Sequence, residues 1–426
     1  MLDRKLIRKD PERVREGLRR KGADFDLDGF LARDERHRAL IQESESLKRE
    51  RNEVSLEVSR LKKEGKDISS ITERMRLVAE RIKEIDRELK ETAEELDRLS
   101  LEIPNLPHES VPVGTCPEDN KVRRQWGEIA KLPFEPLPHW EIGEKLGILD
   151  LAAGAELSGR GFVVLRGDGA LLSRALINLM LDTHRRQGYV EMSVPFMVLR
   201  ECMVGTAQLP KLEEDMYRCE KDDLFLIPTA EVPLTNLFRE KLLEGKSLPV
   251  KVTGYTPCFR REAGSYGQDT KGLVRVHQFD KVEMVKLVAA ETSYDELESL
   301  TADATAVLEA LELPYRVLEL CTRDLSFGAA KCYDLETWAP AMGRWLEVSS
   351  CSNFEDFQAR RIGLRYRDGR GRLRHVHTLN GSGVALPRLT VALLEHYQRA
   401  DGGVDIPEAL REHLQGRAVL MPGPGV

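Results

Sequence analysis

Apolar residues recur at heptad spacing through most of the first hundred positions, and few folds accommodate such a pattern. Leu40, Leu47, Val54 and Leu61 follow one another every seven residues. After Lys63-Glu64-Gly65-Lys66-Asp67 the seam resumes at Ile71, Met75, Val78, Ile82, Ile85, Leu89, Thr92, Leu96, Leu99 and Ile103, in steps that alternate four and three. Such alternation marks a coiled coil. Gly65 is a poor helix-interior residue and a good C-terminal stop. The pattern therefore predicts two antiparallel helices of about 35 residues each, forming a hairpin about 50 Å long at roughly 1.5 Å per residue. From about Asp28 to Ile103 the remaining positions are mostly Glu, Lys and Arg. An arm of two helices buries only one thin seam, so its purpose is reach rather than stability. Arg36, Arg38, Lys48, Arg49, Arg51, Arg60, Lys62, Lys63, Arg74, Arg76 and Arg81 lie amid glutamates on its outer faces. They suit a solvated surface, a zipper between chains, or recognition of a helical RNA by shape and phosphate.

The chain's 426 residues give a prior of two or three domains. Before the arm, Asp10-Pro11-Glu12 reads as a cap with Pro at the first helical position, and Gly22 as a stop. After it, Pro104 to Pro138 holds many of the prolines, rejects helix and reads as a linker. The expected division is 1–103, linker 104–138, a second domain 139–420 and a disordered tail 421–426. Net charge is 65 − 72 = −7, so any nucleic-acid contact must come from local basic faces. Seven scattered cysteines without a C-x-x-C pair suggest neither a disulfide framework nor a zinc knuckle, and fit a reducing cytoplasm. Met1 to Gly22 lacks the apolar core of a secretory signal, and no run approaches the ~18 apolar residues of a membrane span.

The chemistry concentrates between Thr256 and Glu283. Two β-like runs, Lys251–Arg261 and Leu273–Val288, flank a polar, Gly-rich loop from Ala263 to Gly272, which predicts an antiparallel hairpin. Side chains two apart share a strand face. Arg260 and Glu262 then share one face, and Arg275, His277, Phe279, Lys281 and Glu283 line up on the second strand. A solvated sheet face has this look, but so does a nucleotide site. Arginine forks match phosphate oxygens two at a time, and a ring among them stacks on a base.

Other stretches add candidates. Leu171–Gln187 reads as an amphipathic helix stopped by Gly188, followed by a strand Tyr189–Val194 ended by Pro195. Thr229-Ala230-Glu231 follows an apolar strand, as an ordinary helix cap would. Glu291–Leu313 reads as a helix behind the sheet. Arg344–Asn353 reads as a strand presenting Glu347 and Ser349 on one face, with Ser350 at its polar end. Carboxylate and hydroxyl oxygens suit a hard cation such as Mg²⁺. His375 and His377 form either a metal pair or, as their company favours, packing histidines. Asn380–Glu395 reads as a strand, a tight turn and a helix, with Pro387 in the first helical turn and Arg388 near an anion-favouring N-terminus.

Phe259-Arg260-x-Glu262, then Arg275-x-x-x-Phe279-x-x-x-Glu283, resembles motif 2 of the class II aminoacyl-tRNA synthetases. The words around it resemble the seryl-tRNA synthetase branch, as do His139-Trp140-Glu141-Ile142-Gly143, Thr229-Ala230-Glu231 and Glu347-Val348-Ser349-Ser350-Cys351-Ser352-Asn353. The helix and strand before Pro195 look like motif 1, and the stretch around Arg388 like motif 3, with Ala385 replacing a motif glycine and Pro387 at a position often acidic or Gly. The resemblance covers nearly the whole chain. It implies an α+β protein with a coiled-coil arm, an antiparallel catalytic sheet flanked by helices, and a cytoplasmic homodimer without membrane contact. It implies serine activation with ATP and Mg²⁺, then transfer to tRNA(Ser) gripped by the arm; the bacterial-type layout would also allow tRNA(Sec). Arg260 is implied at the α-phosphate, Arg388 at the γ-phosphate and Arg275 near the terminal phosphates. The resemblance further implies that Glu262 accepts from adenine, that Phe279 stacks on it, and that Arg261, Val276, Val348 and Ser349 complete the ATP site. It implies Glu347 and Ser350 as the metal's holders, and Thr229, Ala230, Glu231, Glu283 and Ser382 as the surroundings of serine. Two rivals stay open: a ligase that loads a carrier protein, against which the arm argues, and a non-catalytic RNA-binding paralogue, which would have lost Arg260 or Arg388.

Overall fold

A computed structural model describes residues 1–129, 131–263 and 271–422, so most of the expected motif 2 loop and tail residues 423–426 lie outside the described residues. The chain separates into two compact units: Leu2–Arg19 with Ala23–Pro104, and Met1, Arg20–Gly22 with everything from Asn105 onward.

In the first unit, α1 (Leu27–Lys63) and α2 (Ser69–Glu102) form the expected pair, turning at Gly65 with φ +69°. Asp26 caps α1, its side chain accepting from the Gly29 N–H. Leu40, Val54, Val78, Ile82, Ile85 and Leu96 are buried in the seam. Leu47, Leu61, Ile71 and Met75 are only half-buried. The outer-face arginines differ from expectation. Arg36 reaches Glu88 (2.7 Å), Lys48 Asp86 (2.9 Å) and Arg81 Glu43 (2.9 Å) on the facing helix; Arg74 pairs with Glu50 and Arg38 with Asp34. These long side chains fold back along the seam. Arg49, Arg51, Lys62 and Lys63 are exposed and have no ion pair among the described residues.

The second unit is built on an eight-stranded sheet. Its strands are β1 (Lys121–Trp126), β2 (Val190–Glu191), β3 (Val250–Phe259), β4 (Gln278–Val288), β5 (Tyr315–Glu319), β6 (Lys331–Ala339), β7 (Arg344–Asn353) and β8 (His377–Ala385). They lie in the order β1-β5-β6-β7-β8-β4-β3-β2. Only the short β2–β3 pairing is parallel. Helices α3 (Asp168–Arg186), α4 (Glu231–Asn236), α5 (Ser293–Ala310) and α6 (Leu386–His396) accompany it. Strand alternation divides the work. Val282, Met284 and Val288 of β4 enter the main core with Leu176, Met180, Leu300 and Leu389 of α3, α5 and α6. On the other face Phe279, Lys281 and Glu283 line a cavity. Beyond them Val285 and Leu287 pack with Leu234 of α4 and Val252 of β3.

Four local expectations need correction. The second hairpin strand begins at Gln278, opposite Phe259, not at Leu273. His277 therefore leaves the face assigned to it: its ring sits 5.5 Å from Phe162 and its N–H donates to Gly161. The strand expected at Tyr189–Val194 shrinks to two residues, leaving the ladder after Met192 N–H donates to Thr253. No turn separates β8 from α6, which follow one another directly. The glycines serve close packing instead: a Cβ on Gly383 would overlap the His184 ring, and one on Gly381 would meet Cys351 Sγ. His375 and His377 are packing residues, with Nδ1 against Leu364 O (3.0 Å) and Ser293 Oγ (2.9 Å). Burial lowers the pKa of both. Among the described residues no cluster of three His, Cys, Asp or Glu side chains is set to hold a metal. No described helix is long and apolar enough to cross a membrane.

Candidate active site

A cavity of about 660 Å³ opens on the sheet between β4, β7 and the start of α6. β3 delivers Arg260 to it. The guanidinium lies over the Phe279 ring at 5.2 Å and Nε donates to Pro228 O (3.3 Å). Glu262 lines the cavity with φ +52°, a region that non-glycine residues seldom enter, and is paired with Arg275. Across from them Arg388, in the first turn of α6, donates to Glu347 O (2.9 Å) and pairs with its carboxylate (3.2 Å). Arginine, ring and carboxylate thus converge.

A β-bulge makes the metal candidates neighbours. On a regular strand, residues three apart point to opposite faces. Opposite β6, however, Asp334 meets Ser350 while Glu336 meets Glu347, so Val348 is an extra residue on β7. The bulge brings Glu347 back to the face of Ser350 and Ser352, and all three line the cavity. Sequence reasoning missed Asp334, which shares that face. Burial, and then Glu347, pushes its carboxyl well above the ordinary range. Its alternation with Glu336 along 331–339 was the available signal.

At the deep end Glu283 is buried. One carboxylate oxygen receives Thr229 Oγ1 (3.1 Å) and Ser382 Oγ (3.4 Å) and is paired with Lys281. Lys281 lines the cavity and was given no role in sequence; its two-residue spacing from Phe279 and Glu283 placed it there. Thr229 Oγ1 also accepts from the Glu231 N–H (3.2 Å), and Glu231 accepts from Gln358 Nε2 (2.6 Å). Burial, with Glu283 as second cause, pushes the Glu231 carboxyl up to about 7. Gln358 carried no sequence signal.

Of the expected residues, the cavity gathers Thr229, Glu231, Arg260, Glu262, Arg275, Val276, Phe279, Glu283, Glu347, Val348, Ser349, Ser350, Ser382 and Arg388. It does not gather Arg261 or Ala230. Arg261 turns away, donating to Met216 O (3.0 Å) with its guanidinium over Tyr217 at 4.6 Å. Ala230 is fully buried in the smaller core, at the cap of α4.

An antiparallel sheet whose floor presents arginines, an aromatic ring and carboxylates to one cavity is the catalytic platform of a class II aminoacyl-tRNA synthetase. Residues 214–397 match the family model "tRNA synthetase class II core domain (G, H, P, S and T)", and residues 1–107 match "Seryl-tRNA synthetase N-terminal domain". A serine--tRNA ligase of Caldanaerobacter subterraneus is 54% identical over 417 residues, 97% of this chain and 98% of that protein. One of Geobacter sp. strain M21 is 53% identical over 418 residues, 98% and 99% of the two chains. The crystal structure of seryl-tRNA synthetase from Pyrococcus horikoshii complexed with ATP superposes with a TM-score of 0.94 at 37% identity, covering 99% of this chain and 100% of that one. The chain belongs to the seryl-tRNA synthetases.

Proposed function

We propose that the cavity activates L-serine with ATP and that the seryl group passes from it to tRNA(Ser), with residues 139–420 as the main catalytic part, 104–138 as a connecting stretch that also lends the edge strand β1 to the catalytic sheet, and 1–103 as the tRNA-gripping part. The observation that carries this reading is the convergence of Arg260, Phe279, Arg388 and the Glu231–Glu283 pocket on one cavity. In the first step the serine carboxylate attacks the α-phosphorus of ATP, and pyrophosphate leaves with the electron pair of the broken P–O bond. A carboxylate is already a nucleophile, so positioning and charge neutralisation dominate. Arg260 steadies the α-phosphate, Arg275 and Arg388 the terminal phosphates, and Phe279 stacks on adenine, whose amino group Glu262 accepts. The terminal adenosine of the tRNA then takes the seryl group.

Serine's ammonium is assigned to the carboxylate end of the cavity, and to Glu231 in particular. Below about pH 7 the apparent KM for serine should rise toward about tenfold per pH unit, because the ammonium binds only ionised Glu231. The KM for ATP should stay flat. A serine KM unchanged down to about pH 6 would contradict this role. The hydroxyl fits the polar cluster of Thr229, Ser382 and Glu283. Such a cluster disfavours alanine by roughly 10⁴-fold, since its polar groups would be left unpaired.

Glu347 and Ser350, with Asp334 beside them, offer only hard oxygen donors, which fits Mg²⁺. Bound there, the ion would neutralise charge on the ATP phosphates. Glu347→Gln should raise the Mg²⁺ concentration for half-maximal exchange by about tenfold, with serine binding unchanged; an unshifted Mg²⁺ dependence argues against the site.

On the arm, Arg49, Arg51, Lys62 and Lys63 are exposed cations without an ion pair among the described residues, and they are available to RNA phosphates. Exposed Val190, Phe196, Met197 and Leu199 favour a homodimer, which a light-scattering mass of one chain would contradict. The overall test is ATP–pyrophosphate exchange across the twenty amino acids, followed by charging of tRNA(Ser) and tRNA(Sec). Exchange driven by an amino acid other than serine, or charging of a carrier protein, would overturn the reading.

A further inference from the structure

Helix α6 carries a polar grip at each end. Arg388, in its first turn, donates through Nε to the carbonyl oxygen of Val274 at 3.2 Å. Glu395, in its last turn, is fully buried. One of its oxygens accepts from the His139 N–H (3.1 Å) and His139 Nδ1 (2.9 Å). The other accepts from the Ala341 and Met342 N–H groups, at 3.0 and 3.4 Å. The His139 ring is also fully buried, and its Nε2 accepts from the Leu273 N–H at 3.0 Å. A ring that accepts through Nε2 carries its proton on Nδ1, so Glu395 fixes the tautomer that can hold Leu273. Gly272, at φ +81°, is what lets the chain come this close, since a Cβ there would overlap Nε2.

Leu273 and Val274 are therefore held at an N–H and a carbonyl from the two ends of one helix. They need it, because the β4 ladder begins only at Gln278. They also lead into Arg275 and Val276, which with Leu273 and Val274 wall the cavity. We propose that the Glu395–His139 pair is a positioning device for the ATP half of the reaction: it anchors the root of the segment that carries Arg275. His139 touches no reacting atom and acts through Leu273. Glu395 would keep three backbone donors without the imidazole, so loss of the ring frees the Leu273 amide first and leaves the helix end tied. The proposal rests on the phosphate role given to Arg275.

Three variants of the full chain separate the parts. In His139→Phe the ring volume stays and both polar contacts go. In His139→Asn a donor for Glu395 remains without reach to Leu273. In His139→Gln an acceptor for Leu273 remains. In ATP–pyrophosphate exchange, the Phe and Asn variants should lose about 10- to 100-fold in kcat/KM for ATP, the size expected for a small displacement of a positioning group. The KM for serine should stay within about twofold, and Gln should recover activity, since an interaction removed from one substrate leaves the other's KM in place. Hydrogen exchange at residues 271–277 should quicken in Phe and Asn and return toward the parent rate in Gln. The proposal falls if a folded His139→Phe or His139→Asn keeps parental ATP kinetics, or if all three variants lose ATP and serine kinetics alike. Arg275→Ala is the control. If it leaves ATP kinetics unchanged, the phosphate reading fails; if it cripples them while His139→Phe does not, the anchoring idea alone fails.

Discussion

Replacing Arg260 with alanine should cut serine-dependent ATP–pyrophosphate exchange by about 10³-fold or more while leaving the fold intact. Arg275 and Arg388 each face a carboxylate inside the cavity, Glu262 and Glu347 respectively. Arg260 has no ion pair among the described residues; its contacts are a carbonyl and the Phe279 face. In the proposed reading it is a cation not neutralised by a neighbour, set to meet the negative charge that grows as the carboxylate meets the α-phosphorus. Removing a fixed donor aimed at developing charge lowers kcat more than it weakens ground-state binding. The side chain is exposed, so thermal unfolding should move little. Lysine should restore only a part, because a point charge does not reproduce the two-oxygen fork. Exchange at the parental rate in a folded Arg260→Ala protein would remove this residue from the chemistry.

Cutting the arm back should have the opposite profile. Deleting residues 43–88 and closing the helices with a short glycine turn should spare adenylate formation. Charging of tRNA(Ser) should fall by about 10³-fold, the order that separates specific from non-specific nucleic-acid binding. Residues 43–88 lie wholly within the first compact unit, whereas the sheet and its cavity belong to the second. Alanine at Arg49, Arg51, Lys62 and Lys63 should reproduce part of the loss and flatten the salt dependence of charging. The same substitutions at Arg36 or Arg81 should do less, since those side chains are spent on Glu88 and Glu43. Equal charging with and without the arm would leave it a structural appendage.

What could be read ahead of the structure was whatever obeys a short period. The heptads gave both helices and their turn, because a seam residue in a hairpin of helices is specified by its neighbours three and four places away. The two-residue alternation placed Phe279, Lys281 and Glu283 on one face. Alternation failed where the backbone departs from regularity. His277 was put on the site face because the strand was taken to start too early. Glu347 and Ser350 belong together only because Val348 is an extra residue opposite β6, and bulges leave no periodic trace. Arg261 and Ala230 stand beside site residues in sequence but face elsewhere. The supports, Gln358 under Glu231 and His139 under Leu273, join positions more than a hundred residues apart, which no local pattern encodes.

The central claim is that one cavity seats the adenylate, with its parts assigned to particular side chains. A crystal structure of the full chain with a non-hydrolysable seryl-adenylate analogue tests it most directly. Adenine should stack on Phe279, the phosphate mimic should meet Arg260, and the serine ammonium should lie within hydrogen-bond distance of Glu231. An analogue bound with its base away from Phe279, or with its amino group facing anything but the Glu231–Glu283 end, would contradict the account.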